Sequence, residues 1–505
     1  MRLGGEKLNG LQSYYTNVRP GRPCVLSAWL KSDVPTMSIT LAVGPGASRV
    51  VQVDRQWKRY SVTVTNPVQS RVRVEISTRS RGRVWVDAVQ LEEGAEPTAF
   101  HPNPLDNQGA ALAAEVRLAH RTTPAKAPGS RPPIAVETKV APRCLRVDGK
   151  PLFVFAPLQT FHVPTSHAYG NYDATIETMM SYWAANGFKT IMVGANIDAE
   201  KGGWGQRIFD KALSYADTIG MKVVGFWTGP WSSVLIDDHP RLETLLKRWK
   251  HHRSLLAWQV ADEPDICSVK PEDVAEGVRL AKRWDPDHPL YINYTQLGPG
   301  CRYAGLPGDI LSLDYYLTSV EGRTIAETLR LVDEMEALAR PRGIPTWNFI
   351  IGSFPEHHCR EISADEQTAQ TYGNVIKGAS GLAYFMGQPM GLKHWARLKQ
   401  LNAELQELTP VLFSPEPTGS VSVSEPAILA TARRLDGKTY VLAVNIEGRQ
   451  TKAEFDLSGV MIARDGKVKG KTLFENRPIE ISLGRLSDSF QPYQRHVYEL
   501  DEVMK

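Results

Sequence analysis

The sequence predicts a multidomain protein in which a central (β/α)8 barrel is flanked by a β-sandwich on each side. Three observations lead to this prediction. From residue 142 to residue 413, apolar runs of strand length alternate with amphipathic helical segments, which is typical of a parallel sheet. Short β-branched segments precede this region and return after it. At 505 residues, the chain is also longer than a single hydrophobic core accommodates.

Composition places the chain among ordinary globular proteins, with 23% charged and 42% hydrophobic residues. Lys and Arg number 59 against 55 Asp and Glu, and the net charge of +4 is too small over this length to indicate a nucleic-acid or membrane partner. Five scattered cysteines without a CxxC pair argue against a zinc site or a disulfide scaffold. We therefore expect no metal and no other cofactor. The segment from Met1 to Gly5 lacks the apolar residues of a secretion signal. Because a cleaved signal would leave no trace, an extracellular or periplasmic location stays open.

Residues 1–102 are predicted to form the first sandwich. Short segments alternate apolar and polar residues there, and Gly, Pro and Asp separate them. The predicted strands are 25–31, 38–43, 59–64 and 83–89. Trp29 and Trp85 lie in two of these strands and could stack on sugars, but we favour a core position because tryptophan in such strands usually contributes to packing.

The regions on either side of the barrel differ in composition. Residues 103–141 are rich in Pro, Ala, Gly and Arg without strand periodicity, which predicts a linker. Residues 414–505 return to short β segments and are predicted to form a second antiparallel sandwich. The predicted strands of this sandwich are 420–423, 427–432, 439–445, 452–457 and 496–500.

Residues 142–413 carry the alternation that predicts the barrel. Eight strand segments, most of them followed by a helical segment, point to a closed barrel. A doubly wound sheet is the alternative, but it would require a glycine-rich phosphate turn after an early strand, and the sequence has none. The predicted strands are 152–158, 189–193, 222–227, 255–260, 290–294, 310–317, 345–351 and 381–386.

The fourth strand segment ends in an unusual way. The apolar run from Leu255 to Ala261 is followed at once by Asp262, Glu263 and Pro264. Proline has no N–H group for a β-ladder and cannot continue the strand, so Glu263 is placed at the carboxyl end of the strand. Catalytic residues of (β/α)8 barrels lie at those ends. The alternative is that Asp-Glu-Pro caps the next helix.

The ends of the other predicted strands carry aromatic, carboxylate and amide side chains. Aromatic faces stack on the C–H faces of sugars, and forked polar groups bind hydroxyls, so this set predicts a site for a carbohydrate substrate. The predicted substrate-binding residues are His162, Asn196, Trp227, Trp231, Asp262, Tyr294, Tyr315, Trp347 and Gln388.

These segments together resemble the large clan of (β/α)8 glycoside hydrolases that carry the acid/base glutamate at the end of the fourth strand. The resemblance rests on the segments 147–151, 251–258, 262–264, 378–385 and 401–405. It implies that Glu263 is the acid/base and that Asp262 occupies a position where an asparagine often binds the sugar 2-hydroxyl. The segments 26–31, 57–60 and 86–94 resemble jelly-roll carbohydrate-binding modules. Such modules have further strands before the position of Leu11, so this one is predicted to be truncated or rearranged.

The second catalytic carboxylate is not evident from the sequence. The clan carries its nucleophile at the end of the seventh strand, but here no carboxylate follows that strand until Glu356. Asp314, at the end of the sixth strand, is the first candidate, and Glu356 and Asp198 are the alternatives. A retaining glycosidase needs two carboxyl groups about 5–5.5 Å apart and an inverting one about 6.5–9.5 Å.

Two other functions fit the same residues. A non-catalytic glycan-binding barrel would account for the seventh strand without a glutamate. A polysaccharide lyase or another sugar-modifying enzyme would use Tyr315 or His162 as its base. Glycoside hydrolysis is the function that we predict.

Overall fold

The structure, a computed structural model, describes most of the chain. The described residues are 9–12, 16–18, 20–68, 71–100, 134–136, 143–160, 172–196, 204–228, 239–266, 269–297, 301–303, 305, 308–351, 360, 362–385, 392–460 and 467–501. The chain divides into two compact units. The first comprises Met1–Leu112 with His162–Thr178, and the second comprises Ala113–Phe161 with Met179–Lys505.

The N-terminal strands form two antiparallel sheets around one apolar core. The strands are β1 (Asn9–Gln12), β2 (Thr16–Asn17), β3 (Cys24–Ser32), β4 (Met37–Val43), β5 (Ala47–Val53), β6 (Lys58–Val64), β7 (Arg71–Val72), β8 (Val74–Thr78) and β9 (Val84–Glu93). One sheet has the order β1-β8-β4-β5 and the other β6-β3-β9, while β2 and β7 form a short pair. Leu26, Leu30, Ile39 and Ile76 lie in the shared core. The predicted sandwich arrangement is confirmed, whereas the jelly-roll assignment stays a prediction.

The two tryptophans of this region do not share one environment. Trp29 is 38% exposed, so its predicted core position is wrong. It alternates with the buried Ala28 and Leu30 along β3 and therefore faces away from the core. Trp85 is partly buried, and the ammonium group of Lys31 lies 5.4 Å from its ring centroid, within the range of a cation–π contact.

A small antiparallel sheet precedes the barrel. It consists of β10 (Ile134–Val136), β11 (Leu145–Val147) and β12 (Lys150–Leu152), in that order. Asp148 and Gly149 join the last two strands with positive φ angles of 53° and 75°, as a tight hairpin turn requires. The linker predicted from composition therefore contains a short strand, which pairs with the edge of this hairpin.

The barrel closes as predicted. Its strands are β13 (Val154–Thr160), β14 (Thr190–Asn196), β15 (Lys222–Thr228), β16 (Leu255–Asp262), β17 (Leu290–Tyr294), β18 (Ile310–Asp314), β19 (Thr346–Ile351) and β20 (Gly381–Phe385). Each strand pairs in parallel with the next along the chain, and β20 pairs in parallel with β13. The carboxyl ends of all eight strands therefore lie at one mouth.

Seven helices accompany these strands in the described ranges. They are α1 (Tyr172–Ala185), α2 (Trp204–Ile219), α3 (His239–Trp249), α4 (Pro271–Trp284), α5 (Ile325–Arg342), α6 (Ala364–Lys377) and α7 (Leu392–Leu412). Local sequence explains several of their ends. Thr324 and Glu327 form a capping box at the start of α5, which ends at Gly343 with φ 66°. None of the helices described here is long and apolar enough to cross a membrane.

The lower part of the barrel is filled by packed side chains. Leu145 lies in the barrel core cluster, so the small sheet covers the interior at that end. Higher up, the rings of Tyr291 and Trp347 lie 5.4 Å apart between their centroids. Gly381 provides the room for Trp347, because a Cβ atom there would lie 2.6 Å from Cδ1 of the indole ring. The barrel interior is thus a filled core up to this level, and polar groups begin above it.

The C-terminal region is one continuous antiparallel sheet that curls on itself. Its strands are β21 (Ser422–Val423), β22 (Ile428–Leu435), β23 (Lys438–Asn445), β24 (Thr451–Asp456), β25 (Lys467–Leu473), β26 (Pro478–Ser482), β27 (Arg485–Phe490) and β28 (Arg495–Asp501). The spatial order is β21-β24-β27-β26-β25-β28-β23-β22. Three strands separate β24 from β28 in this order, yet the rings of Phe455 and Tyr498 lie 5.9 Å apart. The sheet therefore encloses its own core, as a sandwich does.

Candidate active site

An irregularity in β16 determines which side chains enter the barrel mouth. The register between β16 and β17 shifts between Gln259 and Ala261, so that Gln259 lies opposite Tyr291 and Asp262 lies opposite Asn293. Regular alternation would place Gln259 and Asp262 on opposite faces. The extra residue of the bulge brings both to the interior, which is the effect that β-bulges commonly have beside active sites.

Glu263 follows the last residue of β16 in a left-handed backbone conformation, with φ 46°. Few residues other than glycine adopt this conformation, and such strain is concentrated at functional sites. The N–H of Glu263 donates to the carbonyl of Asn293 at 2.8 Å, and its carbonyl accepts from the N–H of Ile266 at 3.2 Å. These bonds hold the turn that directs the half-buried Glu263 side chain.

A chain of hydrogen bonds links the polar side chains of three neighbouring strands. The Tyr291 hydroxyl donates to Oε1 of Gln259 at 2.8 Å, and Nε2 of Gln259 donates to Oδ1 of Asp262 at 2.7 Å. Nδ2 of Asn293 donates to the same Asp262 oxygen and to Oδ2 of Asp314, both at 3.0 Å. One amide therefore bridges the carboxyl groups of strands four and six.

Ser312 fixes the direction of that bridge. Its hydroxyl donates to Oδ1 of Asn293 at 2.9 Å. Because the amide oxygen accepts this bond, the NH2 group of Asn293 points toward the two carboxyl groups. Ser312 and Asn293 are both almost completely buried, at 0% and 1% exposure. The bridge is therefore part of the packed barrel interior.

The carboxyl groups of Glu263 and Asp314 lie near each other at the top of this network, and each affects the pKa of the other. Oδ1 of Asp314 is shielded from solvent, and the Tyr316 hydroxyl approaches the same carboxyl group. Tyr316 in turn stacks on Phe385 of β20, with 4.9 Å between ring centroids. Strands four, six and eight thus contribute to one cluster in the barrel mouth.

The environment raises the pKa of each of the three acids. Burial is the main cause of the increase in the pKa of Glu263 to about 7; the negative charge of Asp262 adds to it, and the neighbouring carboxyl group of Asp314 opposes it. Burial, together with the charges of Glu263 and Asp262, raises the pKa of Asp314 well above its usual range. Burial also raises the pKa of Asp262, against the hydrogen bonds from Asn293 and Gln259.

The structure brings some of the predicted site residues together. Asp262, Glu263 and Asp314 form the acid cluster described above. Tyr315 is half-buried, and the guanidinium carbon of Arg323 lies 3.8 Å from its ring centroid, which holds the ring in place from one side. Tyr315 directly follows Asp314 in the sequence, and one face of its ring is already covered by Arg323.

Two predicted substrate-binding residues are instead part of the core. Tyr294 is 0% exposed and packs against Tyr303, with ring centroids 6.2 Å apart. It follows the inward-facing Asn293, so it lies on the outer face of β17. Trp347 is 2% exposed and packs against Tyr291 inside the barrel. The prediction that these two residues line a sugar subsite does not agree with their placement.

Other predicted residues are described only partly or not at all. Asn196 ends β14 and Trp227 lies next to the end of β15, so their backbones lie at the barrel mouth as predicted. Their side chains lie outside the described part of the structure. His162, Asp198, Trp231, Glu356 and Gln388 all lie outside the described residues.

The seventh strand presents apolar side chains to the interior. Trp347 and Phe349 belong to the barrel core cluster, and the next inward position in the alternation is Ile351, at 2% exposure. Asn348 points the other way and contacts Asn374 of α6. Within the described ranges, no group of three or more His, Cys, Asp or Glu residues is arranged to hold a metal ion.

Sequence reasoning missed the residues that connect the acids. Gln259, Tyr291 and Ser312 belong to the network together with Asn293, yet none of these three was predicted as a site residue. Period-two alternation along β17 could have placed Tyr291 and Asn293 on one face. The bulge that moves Asp262 to the same face as Gln259 depends on pairing with β17, which the local sequence does not reveal.

A closed barrel of eight parallel strands with acids at the ends of strands four and six defines the class: a (β/α)8-barrel protein with an acidic mouth. No protein-family model matches the sequence. No curated protein matches it either. The fold nevertheless has similar solved structures.

A putative glycoside hydrolase from Bacteroides vulgatus ATCC 8482 has a TM-score of 0.50 and 12% identity, covering 98% of this chain and 98% of that chain. The noncanonic maltogenic alpha-amylase AmyB from Thermotoga neapolitana has a TM-score of 0.48 and 11% identity, covering 68% of this chain and 98% of its own. A GH30 endoxylanase from Clostridium papyrosolvens C71 has a TM-score of 0.43 and 12% identity, covering 74% of this chain and 100% of its own. The first likeness shows that the chain has a glycoside hydrolase fold.

Proposed function

We propose that this protein is a glycoside hydrolase that acts on an oligosaccharide or polysaccharide, with Glu263 as the general acid/base. The observation that carries the proposal is the position of the half-buried Glu263, directly after the last residue of β16 and next to Asp262. This environment raises the pKa of its carboxyl group to about 7. A general acid is most effective when its pKa lies near the working pH, and burial is the usual way to raise a glutamate into that range. The Bacteroides vulgatus protein of similar fold, described as a putative glycoside hydrolase, supports the same reaction class.

In this mechanism Glu263 donates its proton to the glycosidic oxygen while the bond from that oxygen to the anomeric carbon breaks. As that bond breaks, either the second carboxylate or a water activated by it attacks the anomeric carbon. Where the carboxylate attacks and forms a glycosyl-enzyme, the Glu263 carboxylate then accepts a proton from the water that displaces it. The left-handed turn at Glu263 aims the side chain into the mouth, and Asp262 behind it disfavours early ionisation. Both features support a proton donor at this position.

Asp314 is the first candidate for the second catalytic carboxylate, either as the nucleophile or as the base toward a water. Its carboxyl group lies in the same acid cluster as that of Glu263. A retaining enzyme needs the two carboxyl groups about 5–5.5 Å apart, and an inverting one about 6.5–9.5 Å. Glu356 and Asp198 are the alternatives.

The first experiment compares wild-type protein with Glu263→Gln in a reducing-end assay on soluble polysaccharides. We expect the variant to lose about 10²- to 10⁴-fold in kcat, because general acid catalysis contributes a factor of that size. Glu276→Gln is the matched control, since Glu276 is an exposed helix residue paired with Arg279. Full hydrolysis by the Glu263→Gln variant would rule out the assignment.

The apolar inner face of β19 favours a second candidate, a glycan-binding barrel without turnover. Its signature would be a glycan that binds to wild-type protein without being cleaved. Replacing Glu263 with Gln would then leave the dissociation constant within about twofold, because no proton transfer is involved. Isothermal titration on polysaccharides that show no reducing-end release separates this function from hydrolysis.

A further inference from the structure

The turn that carries Glu263 is anchored to the neighbouring strand at two points. At the first point, the N–H of Glu263 donates to the carbonyl of Asn293 at 2.8 Å. At the second point, two residues further along both segments, the side chain of Asp265 accepts hydrogen bonds from Thr295 and Gln296. Proton transfer by Glu263 does not itself involve this second anchor, so the anchor has a different task.

One carboxylate oxygen forms most of the second anchor. Oδ2 of Asp265 accepts from the N–H of Thr295 at 3.0 Å, from the Thr295 hydroxyl at 2.8 Å and from the N–H of Gln296 at 2.7 Å. Hydrogen bonds to an ionised carboxylate are roughly twice as strong as bonds between neutral groups. Two of the donors are backbone N–H groups directly after β17, so Asp265 binds the main chain of the loop that follows this strand.

The same loop contacts the turn at a third place. The hydroxyl of Tyr303 donates to the carbonyl of Pro264 at 3.1 Å and also contacts the carbonyl of Val269. Tyr303 is 2% exposed, so this contact belongs to the packed interior. The residue that directly follows Glu263 is therefore held through its backbone, and the next one is held through its side chain.

These contacts matter because the turn contains a strained residue. Glu263 has φ 46°, and residues other than glycine keep such a conformation only where the surrounding structure holds them in it. The bond to Asn293 alone would let the turn pivot about that point, and Glu263 could then return to a negative φ. The bonds of Asp265, two residues away, oppose this rotation.

We propose that Asp265 is a positioning residue that holds Glu263 in its left-handed turn by binding the loop after β17. The catalytic consequence rests on the function proposed above, in which the Glu263 side chain must reach the glycosidic oxygen. Asp265 gains and loses no proton in that reaction. Without its bonds, Glu263 spends only part of its time in the position from which it donates, so kcat falls while KM changes little.

The test is amide-resolved hydrogen exchange at the N–H of Glu263 in wild type and in two variants. Asp265→Asn is the conservative variant, because its amide oxygen can take the place of Oδ2 and accept the same bonds. Asp265→Ala removes the acceptor. We expect exchange about tenfold faster than wild type in the Ala variant and within about threefold of wild type in the Asn variant. Both variants remove the same charge, so the difference between them reports the hydrogen bonds.

The N–H of Trp258 is the internal control, because it donates to the carbonyl of Pro289 within the barrel wall. Equal exchange at Glu263 in wild type and Asp265→Ala would overturn the proposal. Equally accelerated exchange at Trp258 would also overturn it, since the substitution would then loosen the whole barrel. Thr295→Val keeps Asp265 and removes only the hydroxyl bond, so it provides a second test if the Ala variant does not fold. We expect this variant to exchange about two- to fivefold faster at Glu263, and no change would count against the anchor.

Kinetics on a hydrolysed substrate test the catalytic consequence. We expect Asp265→Ala to lower kcat by about 10- to 100-fold with KM within about twofold, and Asp265→Asn to retain most of the wild-type kcat. Asp333→Ala is the matched control, since Asp333 is exposed and pairs with Lys377. A loss that appears in KM instead of kcat would contradict a positioning role. Because the exchange measurement needs no substrate, a failure of this proposal is distinguishable from the absence of hydrolysis.

Discussion

Three features of the structure act together on the Glu263 side chain, the proton donor that we propose. A left-handed backbone turn aims it into the mouth, partial burial favours its neutral form, and Asp262 beside it adds a negative charge. Any one of these features occurs in ordinary structural carboxylates. Their coincidence at the carboxyl end of a barrel strand is what indicates a proton donor.

Removing the charge of Asp262 should make Glu263 a stronger acid. In Asp262→Asn the amide retains the volume of the side chain, but the repulsion that raises the pKa of Glu263 is gone. We expect the alkaline limb of the kcat/KM profile, which reports the free enzyme, to move to lower pH by about one unit. An alkaline limb that moves to higher pH or does not move would contradict this assignment of the charge effect.

The raised pKa of Glu263 also affects stability. Its folded-state pKa of about 7 lies above the ordinary value of 4.5, so this group favours folding below about pH 4.5, and that contribution is lost as pH rises through 7. In Glu263→Gln we expect a gain over wild type of about 1–2 kcal/mol at pH 8 and little gain at pH 5, after allowing for the partial exposure of the group. Thermal unfolding at the two pH values, with Glu276→Gln as control, measures the difference. An equal gain at both values would exclude ionisation as its cause.

At the level of strands and helices, the sequence predicted where the elements lie better than which way their side chains face. All eight barrel strands were predicted within a few residues, because each is an apolar run bounded by turn residues. Tyr294 and Trp347 were misassigned because their strands are apolar on both faces. Without alternation of polar and apolar residues, the sequence does not show which side chains point into the barrel. The bulge in β16 was invisible for a related reason, since only the partner strand defines a register shift.

The seam between β13, β19 and β20 should be sensitive to a single methyl group. A Cβ at Gly381 would lie 2.6 Å from Trp347 and 3.0 Å from Val154, and both neighbours are part of the packed core. We expect Gly381→Ala to destabilise the protein by about 1–3 kcal/mol, as overpacked cores generally do.

Gly308→Ala is the control for that substitution, because its nearest neighbour would be 3.7 Å away in ordinary contact. Thermal unfolding of both variants measures the effect. Equal transition temperatures for Gly381→Ala and wild type would mean that the barrel relaxes around the added group.

For the whole molecule, changes in composition and periodicity along the sequence predicted the three folded regions and their order. Some individual strands, however, form only because they pair with other strands. The strands β25 to β27 were not predicted, because segments such as 467–471 contain one valine among lysines and a glycine and have little β propensity of their own. They are strands because they pair with β28 and with one another. The strand at Ile134–Val136 was assigned to the linker because it is only three residues long and directly follows a proline pair.

A buried ion pair joins the barrel to the C-terminal sheet. Arg495 of β28 donates to both oxygens of Glu404 on α7, and the Tyr372 hydroxyl on α6 donates to Glu404 at 2.6 Å. Arg495 and Glu404 are 7% and 4% exposed. Removing one partner of such a pair leaves an uncompensated buried charge.

We therefore expect Arg495→Met to destabilise the molecule by about 3–5 kcal/mol. Arg449→Met, at an exposed pair with Glu447, is the matched control and should change stability by no more than about 0.5 kcal/mol. Urea unfolding followed by tryptophan fluorescence compares the two. Similar midpoints for both variants would show that the interface does not depend on this ion pair.

A series of leaving groups shows whether Glu263 protonates the glycosidic oxygen, as we propose. The measurement is kcat/KM of wild type and Glu263→Gln on aryl glycosides of the hydrolysed sugar, from poor phenol to dinitrophenol leaving groups. We expect a loss of about 10²- to 10⁴-fold for the poor leaving groups that nearly disappears for dinitrophenol, which departs without protonation. A loss of the same size across the whole series, or no loss at all, would contradict the role of Glu263 as the general acid.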